Sequence, residues 1–256
     1  MEPILSPIYH HGQRVGALCV ALAEVLGLGA CHVGKLRRAA ELHDIGKLAL
    51  SPELLQKPGT LDAMEWQAVR RHPKLGYQLL RQEQDSAANL ASIVALQHHE
   101  YWDGSGYPGG LRGEAISREA RIVALCDVYD ALREERTYKP AMSHDQALRL
   151  ILDGDNSGRI RPAMFDPALL MVLRTNAGAF RVAYDNALLA QSARSPEARA
   201  RAKAKPDGQA DRRNPETTDV ARLKEPTASG DGSKDSEQRR PSTTRCSQRM
   251  RAKIAG

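Results

Sequence analysis

An all-α fold is what this chain of 256 residues predicts. Three observations carry it. Apolar side chains recur at helical spacing over the first 193 positions, no alternating run is long enough for a sheet, and glycines cluster where the helical pattern breaks. In chain order, His11, Arg14 and Val15 open a helix whose buried stripe is Leu18, Leu22, Val25 and Leu26, with Gly27 and Gly29 ending it. A second helix starts near Val33, carries Leu36, Ala39, Ala40 and Leu42, and is expected to close at Gly46. Asp62 followed by Glu65 reads as a capping box. Further helices are expected near residues 73–82, 90–100, 118–133, 143–152 and 167–174. Between Glu100 and Ser117 lie Gly104, Gly106, Gly109, Gly110 and Gly113, too many for a helix, so a loop is expected there.

The chain divides unevenly. Residues 1–193 hold enough Leu, Ala, Val and Ile for one buried core, and form the expected domain. From Arg194 onward there is no aromatic residue, and Leu223 and Ile254 are almost the only large apolar side chains. Such a segment buries too little surface to offset its ordering entropy, so residues 194–256 are expected to be a disordered tail. The net charge is +6, but the tail holds 16 of the 37 basic and 9 of the 31 acidic residues, leaving 21 against 22 elsewhere. The basicity therefore belongs to the tail. Its charges are interspersed with acids and it lacks aromatics for base stacking, which favours a solvated tether with weak polyanion contact at most.

Cys19, Cys31, Cys126 and Cys246 show no CxxC spacing, and three lie in apolar helical context, so they read as reduced core thiols. The most apolar stretch, residues 15–28, is short and contains Glu24, which makes it a core helix and not a membrane span. No signal peptide precedes it, and a cytoplasmic protein is expected.

The chemistry-bearing residues are histidines and aspartates. His43 and Asp44 are adjacent, and His11, His72, His98, His99 and Asp127 stand 32 before and 29, 55, 56 and 84 positions after His43. An imidazole beside a carboxylate offers one nitrogen ligand and one group able to bridge two ions. A set without thiolates suits Fe, Mn or Zn doing hydrolysis better than a structural zinc knuckle. Taken alone, His43–Asp44 reads as a helix end where a histidine favours the dipole and the aspartate is solvated. The tandem His98–His99 within an apolar run is harder to dismiss, because burying two imidazoles is costly unless both are satisfied. Asp127 interrupts the apolar run 122–126 and needs a partner, either a metal or an arginine. Asp130, one turn later, is expected to orient ligands. His10, His32 and His144 are expected to be surface or structural residues.

These elements, in order, resemble the HD-GYP family of bacterial cyclic di-GMP phosphodiesterases. The resemblance runs from about residue 8 to 175. It rests on His11-Gly12-Gln13-Arg14-Val15, His43-Asp44-Ile45-Gly46-Lys47, Lys57-Pro58-Gly59, His98-His99-Glu100 and Asp103-Gly104-Ser105-Gly106-Tyr107-Pro108, and continues through residues 110–113, Arg136-Thr137-Tyr138-Lys139-Pro140 and Phe165-Asp166-Pro167. It implies an HD-type helical bundle around a dinuclear site, with His11, His43, Asp44, His72, His98, His99 and Asp127 as ligands and Asp44 as the bridge. It places His72 in the set, a residue that on its own reads as a helix-start histidine. It also implies Lys47 as a catalytic cation, Arg136 and Lys139 as the phosphate-binding pair, and a Gly-Tyr-Pro loop associated with docking on diguanylate cyclases of the GGDEF type. Tyr107 either stacks on guanine or packs against its own loop. Some members bind a third metal through a glutamate four residues before the first histidine. Here that position is Pro7, so two divalent ions, Fe or Mn, are expected. The implied reaction opens cyclic di-GMP to pGpG or GMP. Two other readings remain: an HD-type hydrolase of another nucleotide, and an idle metal-loaded module that works by docking.

Overall fold

The computed structural model describes residues 2–82, 86–135 and 140–194, and these build one helical unit with no strand among them. Helix α1 (Glu2–Val25) contains Pro7 and ends where Gly27 takes a left-handed φ of 68°. Helix α2 (Ala30–Glu41) buries Val33, Leu36, Ala39 and Ala40 against it. Two short helices follow, α3 (Pro52–Leu55) and α4 (Ala63–Val69). Asp62 and Glu65 form the expected capping box on α4. Then come α5 (His72–Leu80), α6 (Ser86–Gln97) and α7 (Arg118–Arg133), whose buried row of Ile122, Val123, Leu125, Cys126 and Tyr129 packs on α1 and α6. Ser117 and Ser143 cap α7 and α8 (His144–Asp153), and α9 (Pro167–Thr175) leads into α10 (Ala177–Arg194), which lies along α1.

The helical expectation holds for each helix that it named, with α1 starting well before His11, at Glu2, and the other boundaries displaced by a few residues. Two readings need correction. Gly46 does not close α2, which ends at Glu41; His43 and Asp44 lie in the turn beyond it, and Gly46 sits in a 3₁₀ turn over Ile45–Ala49. The glycine is required for a different reason. A Cβ there would lie 2.0 Å from the carbonyl oxygen of His72, so only hydrogen lets this turn press onto α5. Cys31 is exposed at the start of α2, while Cys19 and Cys126 are core residues as expected. Helix α10 had no periodicity strong enough to mark it, yet Phe180 and Tyr184 are nearly fully buried. Among the described residues no helix is long and apolar enough to cross a membrane. Residues 195–256, including Cys246, Leu223 and Ile254, lie outside the described residues, as do Arg136 and Lys139.

Candidate metal centre

Helix ends deliver most of the centre. The last carbonyls of a helix have no partner within it, and three histidines use them. His43 Nδ1 donates to Ala40 O at 2.6 Å, at the end of α2. His72 Nδ1 donates to Val69 O at 2.8 Å, the last residue of α4. His98 Nδ1 donates to Ala95 O at 2.9 Å, at the end of α6. A carbonyl only accepts, so Nδ1 carries the proton in each ring and Nε2 is left as a lone pair. His11 lies inside α1, where backbone carbonyls are already taken. Its Nδ1 donates instead to Asp130 Oδ2 of α7 at 2.7 Å.

All seven expected ligands converge, in two groups. Asp44, His72, His98 and His99 form one, and His11, His43 and Asp127 the other, each with its donor atoms within 4.8 Å of one another. Asp44 faces both. Its Oδ1 is 3.2 Å from His72 Nε2 and 3.7 Å from His98 Nε2, while Oδ2 is 3.6 Å from His43 Nε2 and 3.8 Å from His11 Nε2. In the second group Asp127 Oδ1 stands 3.1 Å from His11 Nε2.

The donor set fits divalent ions. His72 Nε2 lies 3.1 Å from His98 Nε2, and with both protons placed on Nδ1 two lone pairs face each other. Asp44 Oδ1 is buried and accepts no hydrogen bond. A cation between these atoms resolves each of these unfavourable contacts at once. Burial pushes His43 and His98 below the ordinary imidazole range and His99 down to about 3, which keeps them neutral and able to ligate. Burial would lift Asp44 and Asp127, but the Lys47 ammonium and neighbouring histidines hold Asp44 well below the usual carboxylate range, and the hydrogen bond from His11 does the same for Asp127.

The other expected residues are distributed around this centre. Lys47 Nζ donates to Asp44 Oδ2 at 2.5 Å. The Tyr107 ring stacks on His99, with centroids 4.7 Å apart and planes at 28°, and the Arg70 guanidinium lies 4.4 Å from the Tyr107 centroid. Asp127 is met by His11 and not by an arginine. His10, His32 and His144 are engaged elsewhere, by Ser6, Glu119 and Tyr129.

Two supporting residues were missed. Arg14 is buried and donates from Nε and Nη2 to Asp130 at 2.7 and 2.9 Å, holding the carboxylate that orients His11. Glu100 is also buried, and accepts from the backbone N–H of Gly109 at 2.6 Å and of Leu111 at 2.9 Å, so it shapes the Gly-Tyr-Pro loop. A buried carboxylate directly before a glycine-rich loop, where backbone donors outnumber local acceptors, is the signal that would have found it.

Fold and centre together define the class. Residues 4–164 match the HD domain, and the chain belongs to that family. Over 155 residues it is 44% identical to the cyclic di-GMP phosphodiesterase response regulator RpfG of Xanthomonas campestris, covering 60% of this chain and 39% of the relative. It is 42% identical over 157 residues to the cyclic di-GMP phosphodiesterase PA4108 of Pseudomonas aeruginosa, covering 61% and 37%. It is 40% identical over 136 residues to the 3'3'-cGAMP-specific phosphodiesterase 2 of Vibrio cholerae, covering 53% and 26%. The chain therefore spans less than half the length of these relatives. An HDG"Y"P protein from Bdellovibrio bacteriovorus, Bd1817, shares the fold, with a TM-score of 0.51 at 24% identity over 66% of this chain and 51% of that one.

Proposed function

We propose that the chain is a metal-dependent phosphodiesterase that hydrolyses cyclic di-GMP to pGpG or GMP through a pair of divalent ions held by His11, His43, Asp44, His72, His98, His99 and Asp127. The observation that carries this reading is Asp44, whose two oxygens each face a different histidine group. When bound, such a pair acidifies water and neutralises charge on a phosphodiester under in-line attack. The residues of this chain do the rest. Asp44 spaces the two groups, and the backbone-anchored histidines keep their lone pairs turned inward. Lys47, already on Asp44, adds positive charge where a leaving oxygen develops negative charge. Beside the centre a cavity of about 240 Å³ runs from His98, His99 and Asp127 along Tyr101, Val128, Ala131, Leu132 and Ile160, giving a nucleotide an apolar wall next to the reacting phosphate. Arg136 and Lys139 grip the phosphate. Tyr107, engaged by His99 and Arg70, acts as a wall of the centre in preference to a guanine platform.

Iron or manganese is the ion expected from an imidazole and carboxylate set without thiolates, and Pro7 in place of a third-site glutamate limits the count to two. The half-buried loop around Tyr107 is the surface for a GGDEF-type diguanylate cyclase, and the cytoplasm is the compartment where that partner and cyclic di-GMP would be met. A second substrate, 3'3'-cGAMP, is favoured by the relative named for it. The test is to purify the full chain anaerobically, load it with Fe or Mn, and resolve the products from cyclic di-GMP and 3'3'-cGAMP. Linear pGpG or GMP supports the reading. Metal-loaded protein that leaves both cyclic dinucleotides intact overturns it.

A further inference from the structure

Helix α10 lies wholly beyond residue 164, where the match to the HD domain ends. It nevertheless reaches the support of the metal centre. Phe180 and Tyr184 insert against Tyr129 of α7, with ring centroids 5.5 and 5.8 Å away and planes near perpendicular. The guanidinium of Arg133 closes over Tyr184 at 4.4 Å. One end of α10 clamps α1: Gln191 Nε2 donates to His10 O at 2.7 Å, and Gln191 Oε1 accepts from Arg14 Nη1 at 3.4 Å. Arg14 is the residue that grips Asp130, and Asp130 is fully buried and holds His11 by Nδ1.

We propose that α10 is a positioning element for the His11, His43 and Asp127 group: Gln191 fixes Arg14 and Tyr184 seals the Arg14–Asp130 pair from water, so that Asp130 keeps the Nε2 of His11 turned toward the metal. The physical need is specific to His11. The other Nδ1-anchored histidines take their orientation from the carbonyl three residues earlier in their own stretch of chain. An ion pair in a dry site is held far more firmly than one open to solvent, because the local dielectric is lower. Removing a partner behind a metal-ligating histidine typically weakens metal affinity by about 10–100-fold. The inference rests on the two-ion reading above and adds to it a dependence on a helix outside the family-matched span.

The experiment is a Mn2+ titration of the full chain, with free Mn2+ counted by electron paramagnetic resonance and thermal unfolding followed in parallel. The proteins are wild type, Gln191→Ala, Tyr184→Ala, and Leu189→Ala as an exposed control on the same helix. Wild type and Leu189→Ala are expected to show two classes of site. Gln191→Ala should weaken one class about tenfold and leave the other and the unfolding temperature unchanged. Tyr184→Ala should weaken the same class further. Should Tyr184→Ala fail to fold, Gln191→Ala decides alone. Two unaltered classes in Gln191→Ala, or both weakened in parallel, overturn the proposal while leaving the two-ion reading intact. Wild type with fewer than two classes overturns that reading and this one with it.

Discussion

The two halves of the centre are built by different means. In the half formed by Asp44, His72, His98 and His99, two imidazoles are oriented by the backbone carbonyl three residues earlier, and His99 is backed by Tyr107. These supports are local in sequence and need only a helix that ends in the right place. In the half formed by His11, His43 and Asp127, His43 is anchored the same way, but His11 depends on Asp130, 119 residues away, which in turn depends on Arg14. A histidine at a helix end finds a spare carbonyl. One inside a helix has to recruit a side chain, and that side chain needs its own support. The first half should therefore tolerate distant change better than the second.

Asp44 is the point where the comparison collapses, because it serves both halves. Asp44→Ala should remove bound metal from both groups and abolish phosphodiester hydrolysis, read by elemental analysis and product formation together. A variant with near-normal turnover would show that the halves do not share a bridge. Next in size is Asp130→Asn. It leaves Arg14 with a weakened contact at residue 130 but still paired with Glu134, and His11 without its carboxylate, so stability should fall by about 1–3 kcal/mol. One class of metal site should weaken by about 10–100-fold while the other holds. Equal loss in both classes would erase the distinction between local and long-range support.

A third change probes the local half. Gly106→Ala places a Cβ 2.3 Å from Tyr101 N and 2.4 Å from His99 O, both backbone atoms that cannot swing aside. The loop must shift, at a cost of about 1–3 kcal/mol, and the stacking of Tyr107 on His99 should loosen. A rise in KM with metal content preserved, measured on the Mn-loaded protein, is the expected outcome. Loss of metal would mean that His99 needs the Tyr107 stack to stay in the ligand group.

What could be read from the sequence follows the same division. Part of the candidate site and most of the helices were readable because they announce themselves locally: a tandem His98–His99 in an apolar run, a carboxylate at Asp127 where apolar residues were expected, a capping box at Asp62. His72 did not, and entered the set only through the family resemblance. Asp130 was assigned its orienting part from one helical turn of spacing. Its grip by Arg14 was not, since nothing in a sequence pairs residues 14 and 130 without the fold that joins them. Gly46 was misread because a glycine after a helix usually ends it, whereas here it is demanded by the approach of His72 O, a tertiary contact. Helix α10 escaped because its apolar residues, Phe180, Tyr184 and Leu188, are diluted by alanines and charges, so its burial comes from the partner surface on α1 and α7.

The smallest expected effect lies farthest from either half. Removal of residues 195–256 should leave both metal classes, hydrolysis of cyclic di-GMP and thermal stability nearly unchanged. The segment carries no aromatic residue and few large apolar ones with which to dock, so it contributes little burial to any packed state. The cut has to fall beyond Arg194, because Gln191 still grips α1. What the segment does carry is positive charge, and phosphate contacts made by such charge weaken steeply with salt as counterions are released. Retention of the full chain on an immobilised polyanion should therefore fall sharply between low and physiological salt, and the shortened chain should show little retention at either. A shortened chain that unfolds early or loses one metal class would place residues 195–256 among the long-range supports of His11, and the contrast between the two halves would then extend to the end of the chain.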